Sequence, residues 1–148
     1  MTVFGGVTLA VGCAAVAEDL ARRRVSNWTS GAALASGFVL HIAQYGWHGL
    51  LAASLGTLLG FAVFLIFYLL NGMGGGDVKL MAGFGSLLGP GGIFWAAWFA
   101  AVAGGLMAAG YAIALALRAR RRGAPDSHAI PYAPAIVAGV WLAEFALG

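Results

Sequence analysis

The sequence predicts an all-α integral membrane protein of six transmembrane helices, with both termini outside and the odd-numbered loops in the cytoplasm. Three observations carry that expectation. Hydrophobic residues make up 61% of the 148-residue chain and charged ones only 9%, whereas a water-soluble globular domain carries about 25% charged residues. The eight basic and five acidic side chains are confined to 18–24, 77–79, 118–126 and 144, which leaves 28–76, 80–117 and 127–143 uncharged. Every Lys and Arg falls at an alternate junction between apolar stretches, the segregation that the positive-inside rule expects of cytoplasmic loops. Uncharged runs of this length exclude a soluble enzyme, a disordered chain and a nucleic-acid-binding domain.

A bilayer crossing takes about 20 mostly apolar residues, and the elements follow from that length. The first runs from Thr2 to Asp19. Its Ala15-Val16-Ala17 imitates a signal-cleavage site, but a secretory signal has a basic region ahead of its apolar core, and Met1 to Val16 carries no charge. It is therefore read as a retained span that ends at Arg22-Arg23-Arg24. The second covers Trp28 to Gln44, and Gly46-Trp47-His48-Gly49 turns the chain into a bulky, uncharged third, Leu50 to Leu70. A glycine-rich segment, Gly72 to Gly76, leads to a short fourth from Asp77 or Val78 to Leu88. Gly89-Pro90-Gly91-Gly92 closes it with two kinds of helix breaker. The fifth, Ile93 to Leu117, ends at Arg118 and Arg120 to Arg122, and Pro131 opens a sixth that continues to Gly148. Gly56 with Gly60, Gly85 with Gly89, and Gly104-Gly105 predict close helix contacts in lipid. The chain is expected to be one polytopic domain, 1–148.

Two acids stand out by position. Asp19 ends the first span and Asp77 begins the fourth, so the expected topology puts both at the cytoplasmic face. Two carboxylates within about 3 to 6 Å cannot readily both ionise. Sharing one proton, one member takes a proton from water while the other polarises a carbonyl, the chemistry of aspartic proteases. Read singly, an Asp at a helix boundary is also an ordinary cap. Gly74 to Gly76 offer a backbone without side chains, able to adopt positive φ and to approach a peptide closely. Lys79 either tunes the Asp77 carboxylate or anchors its helix at lipid headgroups. Glu18 competes with Asp19 for its role, and Glu144 stands alone near the outer end of the last span. His41, His48, His128 and the single Cys13 have no metal-ligand spacing, so neither a metal nor a cofactor is expected. A small transporter or channel with an ion or proton site at Asp77 and the glycines is the alternative from another class. It calls for polar residues deep in several helices, and the third and fifth spans have almost none.

Gly74-Gly75-Gly76-Asp77 fits the GxGD pattern, and Gly76-Asp77-Val78-Lys79-Leu80 closely resembles the GDVKL core of type IV prepilin peptidases. Asp19, the arginine-rich loop and Val25-Ser26-Asn27 resemble that family's first aspartate and its D-x-x-x-R-x-I-P-N element, with Ser26 where proline is usual. Pro131-Tyr132 with Ala135-Ile136 and Gly139 is similar to its last-helix motif, P-Y-x-x-A-I-x-x-G. The resemblance covers essentially the whole chain, in order. It implies a membrane aspartic endopeptidase of the inner membrane that removes the short basic leader of prepilins or pseudopilins at the cytoplasmic face, cutting just after a glycine. It implies Asp19 and Asp77 as the catalytic pair, with Gly74, Gly75, Gly76, Lys79, Arg22 and Asn27 shaping the site. The similarity is to the short form found in tight-adherence pilus systems, which implies neither N-methyltransferase activity nor a CxxC zinc site. GxGD proteases of presenilin or signal-peptide-peptidase character pair the motif with a Tyr-Asp element, and no Tyr precedes Asp19.

Overall fold

The computed structural model describes residues 2–22, 24–70, 73–122 and 133–147, side chains at 115–122 and 147 excepted. Arg23, Gly72, His128, Pro131 and Tyr132 lie outside the described residues, as do the side chains of Arg118 and Arg120 to Arg122. Within them the chain forms four helices rather than the six expected: α1 (Val3–Arg22), α2 (Asn27–Leu69), α3 (Gly75–Arg122) and α4 (Ala133–Leu147). The expected turns at 46–49 and 89–92 are not loops. Each is a single-residue break inside a long helix, at Gly46 (φ 55°, ψ −128°) and Gly89 (φ 66°, ψ −176°). Both dihedral pairs suit glycine alone. Helical geometry resumes at the next residue, and Pro90 fits directly after its break because the first turn of a helical arm has no use for its missing N–H.

The break at Gly46 folds α2 back on itself. Ala33 and Gly37 pack on Gly83 and Ser86, while Gly56 and Gly60 pack on Gly85 and Met81. In a straight helix Ala33 and Gly60 would lie about 40 Å apart, yet they meet neighbours within one turn of α3. The two arms of α2 therefore enclose the first arm of α3, whose Leu80, Met81 and Phe84 are fully buried. Glycine makes this possible. Gly56 and Gly85 touch backbone to backbone, and a Cβ on either would collide with the other's carbonyl. Close approach of this kind is what drives helices together where lipid supplies no hydrophobic force. Gly105 departs from the expected pattern, since a Cβ there would meet only open space. α4 packs through Gly139 on Ala100 of α3, and through Val137 and Trp141 on Gly12 of α1.

Three helical stretches, Val3–Arg22, Asn27–Leu69 and Gly75–Ala114, are long and apolar enough to cross a membrane, and α4 is shorter. The protein is thus a membrane protein, and its outer surface agrees: Trp28, Leu58, Trp98, Leu106 and Phe145 are exposed, a surface lipid solvates better than water. Six separate spanning helices are not what the fold contains. A glycine break consumes a single residue, so adjacent apolar stretches share one helix on either side of Gly46 and of Gly89.

Candidate active site

Asp19 lies in the last turn of α1 and Asp77 in the first turn of α3. The fold brings them together. Their side chains are only 6% and 9% exposed, and they sit near enough for their charges to repel. Each carboxylate is held by backbone at the start of a helix. Asp77 Oδ2 accepts from the Gly74 N–H at 3.3 Å while its own N–H donates to the Gly74 carbonyl at 3.1 Å, a reciprocal cap of the kind that opens many helices. Asp19 Oδ2 accepts from the Ala133 N–H at 3.2 Å. Ala133 is the first residue of α4, where N–H groups lack intrahelical partners and the helix dipole favours negative charge. Burying one carboxylate without such partners costs several kcal/mol, of order 2–7 for a polar group and more for a charge. Two of them in one site are tolerated best with a proton between them.

Glu18 does not compete with Asp19. Both its oxygens are taken by Ser26, through the backbone N–H at 2.8 Å and the hydroxyl at 3.0 Å. Ser26 in turn caps α2, its Oγ accepting from the Thr29 N–H at 3.2 Å. Its φ of −72° and ψ of 150° are values a proline would also hold, which is how serine fits where the resembled element has proline. Lys79 is neither on the Asp77 carboxylate nor free at the surface: its Nζ donates to Asn27 Oδ1 at 3.1 Å. Arg22 is exposed at the end of α1, with its charge near Glu18. Counted from Asp19, the arginine of the D-x-x-x-R spacing is Arg23, which lies outside the described residues.

The glycines also behave differently from expectation. Among the described residues only Gly46 and Gly89 have positive φ; Gly75 and Gly76 are helical and open α3. A Cβ at Gly75 would make ordinary contact with Tyr68 at 3.6 Å, and one at Gly76 with Val25 at 3.7 Å. The fold itself does not need glycine there. Gly74 and Gly75 are exposed and leave a bare strip of backbone beside Asp77. Next to it lies a groove of about 270 Å³ lined by Met73, Phe67, Ala101, Gly105, Ala135 and Ile136, among others. Through Phe67 and Ala101 it continues into a second apolar groove that reaches Ile93 and Trp98.

No three His, Cys, Asp or Glu side chains gather among the described residues. The model of the type IV leader peptidase family matches residues 6–113. The chain belongs to that family. The match takes in both aspartates and the whole Gly76-to-Leu80 element. The protein is accordingly a protease acting on protein chains. It matches no curated protein and no solved structure.

Sequence reasoning missed three features of this site: the Ala133 N–H on Asp19, the Glu18–Ser26 pair and the Lys79–Asn27 bond. Only Ser26 left a local signal, as a serine just before a helix.

Proposed function

We propose that this leader peptidase is an aspartic endopeptidase in which Asp19 and Asp77 act as one proton-sharing pair. We further propose that it removes the short leader of type IV prepilins or pseudopilins at the cytoplasmic face of the inner membrane. The observation that carries the proposal is the meeting of two nearly buried carboxylates from α1 and α3, each held through one oxygen by a backbone N–H. The ionised member takes a proton from the attacking water, while the protonated member donates to the scissile carbonyl oxygen. Collapse of the tetrahedral intermediate then returns a proton to the departing amine, leaving a new carboxylate and a new amino terminus.

Three further features fit this reading. The break at Gly46 folds α2 back on itself, and Asn27 at its start lies beside Lys79 of α3. That arrangement gathers Arg22, Arg24 and Lys79 on the acid pair's side, the cytoplasmic side by the positive-inside rule. The bare backbone of Gly74 and Gly75 suits an extended peptide. The apolar grooves suit a substrate whose cleaved bond lies next to an apolar helix in the same membrane.

Co-expression with a candidate prepilin tests the proposal. Asp19→Asn and Asp77→Asn keep side-chain size and an acceptor oxygen but cannot ionise, so each should reduce leader removal at least about 1,000-fold while the protein still inserts. Leader removal at the wild-type rate in either variant overturns the pair.

A further inference from the structure

Asp19 and Asp77 sit on helices that hardly touch, since α1 meets α3 less than it meets α2 or α4. Something else has to fix how far apart their carboxylates stand. We infer that Glu18 and Ser26 are positioning residues for the acid pair: with Asn27 and Lys79 they form a hydrogen-bonded strut joining the helix of Asp19 to the helix of Asp77. The inference rests on the paired-acid reading above.

The links run in series. Glu18, adjacent to Asp19, grips Ser26 through both the backbone N–H and the hydroxyl. Ser26 precedes Asn27, the first residue of α2, and Asn27 Oδ1 receives Lys79 Nζ from the opening turns of α3. Both ends of the strut are therefore fastened within two residues of an acid. The geometry at Ser26 is also unlike an ordinary helix start. In a capping box the N-cap residue's own N–H is bonded by an acidic or amide side chain at N3 of the same helix. Here N3 is Thr29, whose hydroxyl pairs with Ser26 Oγ at 3.0 Å, and the bond to the N-cap N–H comes instead from another helix. A capping motif used between helices holds α1 in register with α2, and Lys79 extends that register to α3. Misplacing reacting groups by about 1 Å costs on the order of 100-fold in rate, so such a strut acts on turnover rather than on substrate binding.

The test uses the full chain in liposomes, in a Cys13→Ala background, with a synthetic leader–apolar-helix substrate. Glu18→Ala should lower kcat about 10- to 100-fold with KM within about twofold of its starting value, and Glu18→Gln, which keeps one acceptor for the Ser26 N–H, should lose less. Lys79→Met breaks the strut at its exposed end without touching a buried group. Because the links are in series, the Glu18→Ala/Lys79→Met double variant should lose no more than the worse single one. Spin labels at Leu20→Cys and Gly75→Cys should report a broader distance distribution in both single variants. Wild-type kcat in Glu18→Ala, additive losses, or an unchanged label distance would overturn the strut. Should the unmodified enzyme fail to cleave, the peptidase proposal falls on that result, and the label distance alone decides the strut.

Discussion

Asp19 accepts a hydrogen bond at 3.2 Å from the backbone N–H of Ala133, a residue 114 positions further along the chain. One acid thus does two jobs. It supplies half of the proposed catalytic pair and it satisfies an otherwise unpartnered N–H at the buried start of α4. The two jobs respond differently to substitution. Asp19→Asn keeps an acceptor oxygen, whereas Asp19→Ala strands the N–H, a loss of about 1–2 kcal/mol. Both variants should be inactive, but only Asp19→Ala should melt earlier in detergent and exchange amide hydrogens faster in the first turn of α4. Equal melting temperatures for the two variants would mean that the bond contributes nothing to holding α4.

Gly76 separates fold from function in the opposite direction. A methyl group there meets Val25 only at ordinary van der Waals distance, and alanine favours a helix over glycine by about 1 kcal/mol. Gly76→Ala should therefore melt at the same temperature or slightly higher. If an extended substrate backbone running along the strip at Gly74 and Gly75 also passes Gly76, the same methyl should raise KM or lower kcat, reducing kcat/KM at least about tenfold. Unchanged kcat/KM on a leader peptide would remove Gly76 from the substrate path.

The sequence was most legible where a single physical rule dominates. Charge exclusion marked every apolar stretch, and the breakers at Gly46 and Gly89 lie where the chain departs from helix. Asp19 and Asp77 stand out by motif and charge segregation, and both are nearly buried, one in the last turn of α1 and the other in the first turn of α3. The number of helices was not legible, because composition cannot say whether a breaker consumes one residue or four. The strut was not legible either. Glu18 to Ser26 crosses the break between α1 and α2, where no helical period applies, and Lys79 to Asn27 spans 52 positions; neither is a pattern that a local window reveals. The roles that the sequence suggests for Lys79 follow from its nearness to Asp77 and to the membrane boundary, whereas its hydrogen-bond partner comes from a different helix.

Gly85 and Gly105 offer a matched comparison within α3. A Cβ at Gly85 would run into the Gly56 backbone, and one at Gly105 would meet nothing. Gly85→Ala has to push the second arm of α2 away from α3, so it should cost about 1–3 kcal/mol, the usual range for overpacking. Gly105→Ala should be neutral or stabilising by up to about 1 kcal/mol from helix propensity alone. Thermal denaturation of the two variants in the same detergent checks the contrast, and similar melting temperatures would show that the Gly56–Gly85 contact is looser than described.

His41 is a buried polar group that the proposed chemistry leaves unused. It is 8% exposed, and among the described residues its Nδ1 has no well-formed hydrogen bond, although the imidazole interacts with the Gly37 backbone. Its ring packs edge-on against Phe4 with centroids 4.7 Å apart, and Tyr45 lies 6.1 Å away. A buried nitrogen without a partner costs about 1–3 kcal/mol, whereas the edge-to-face packing depends on ring shape and is available to phenylalanine. His41→Phe removes the cost and keeps the packing, so it should stabilise the protein by about 1 kcal/mol and leave kcat unchanged, since His41 packs against the start of α1 and the Gly46 bend rather than beside the acids. A lower melting temperature in His41→Phe would show that the imidazole's interaction with the Gly37 backbone outweighs that cost.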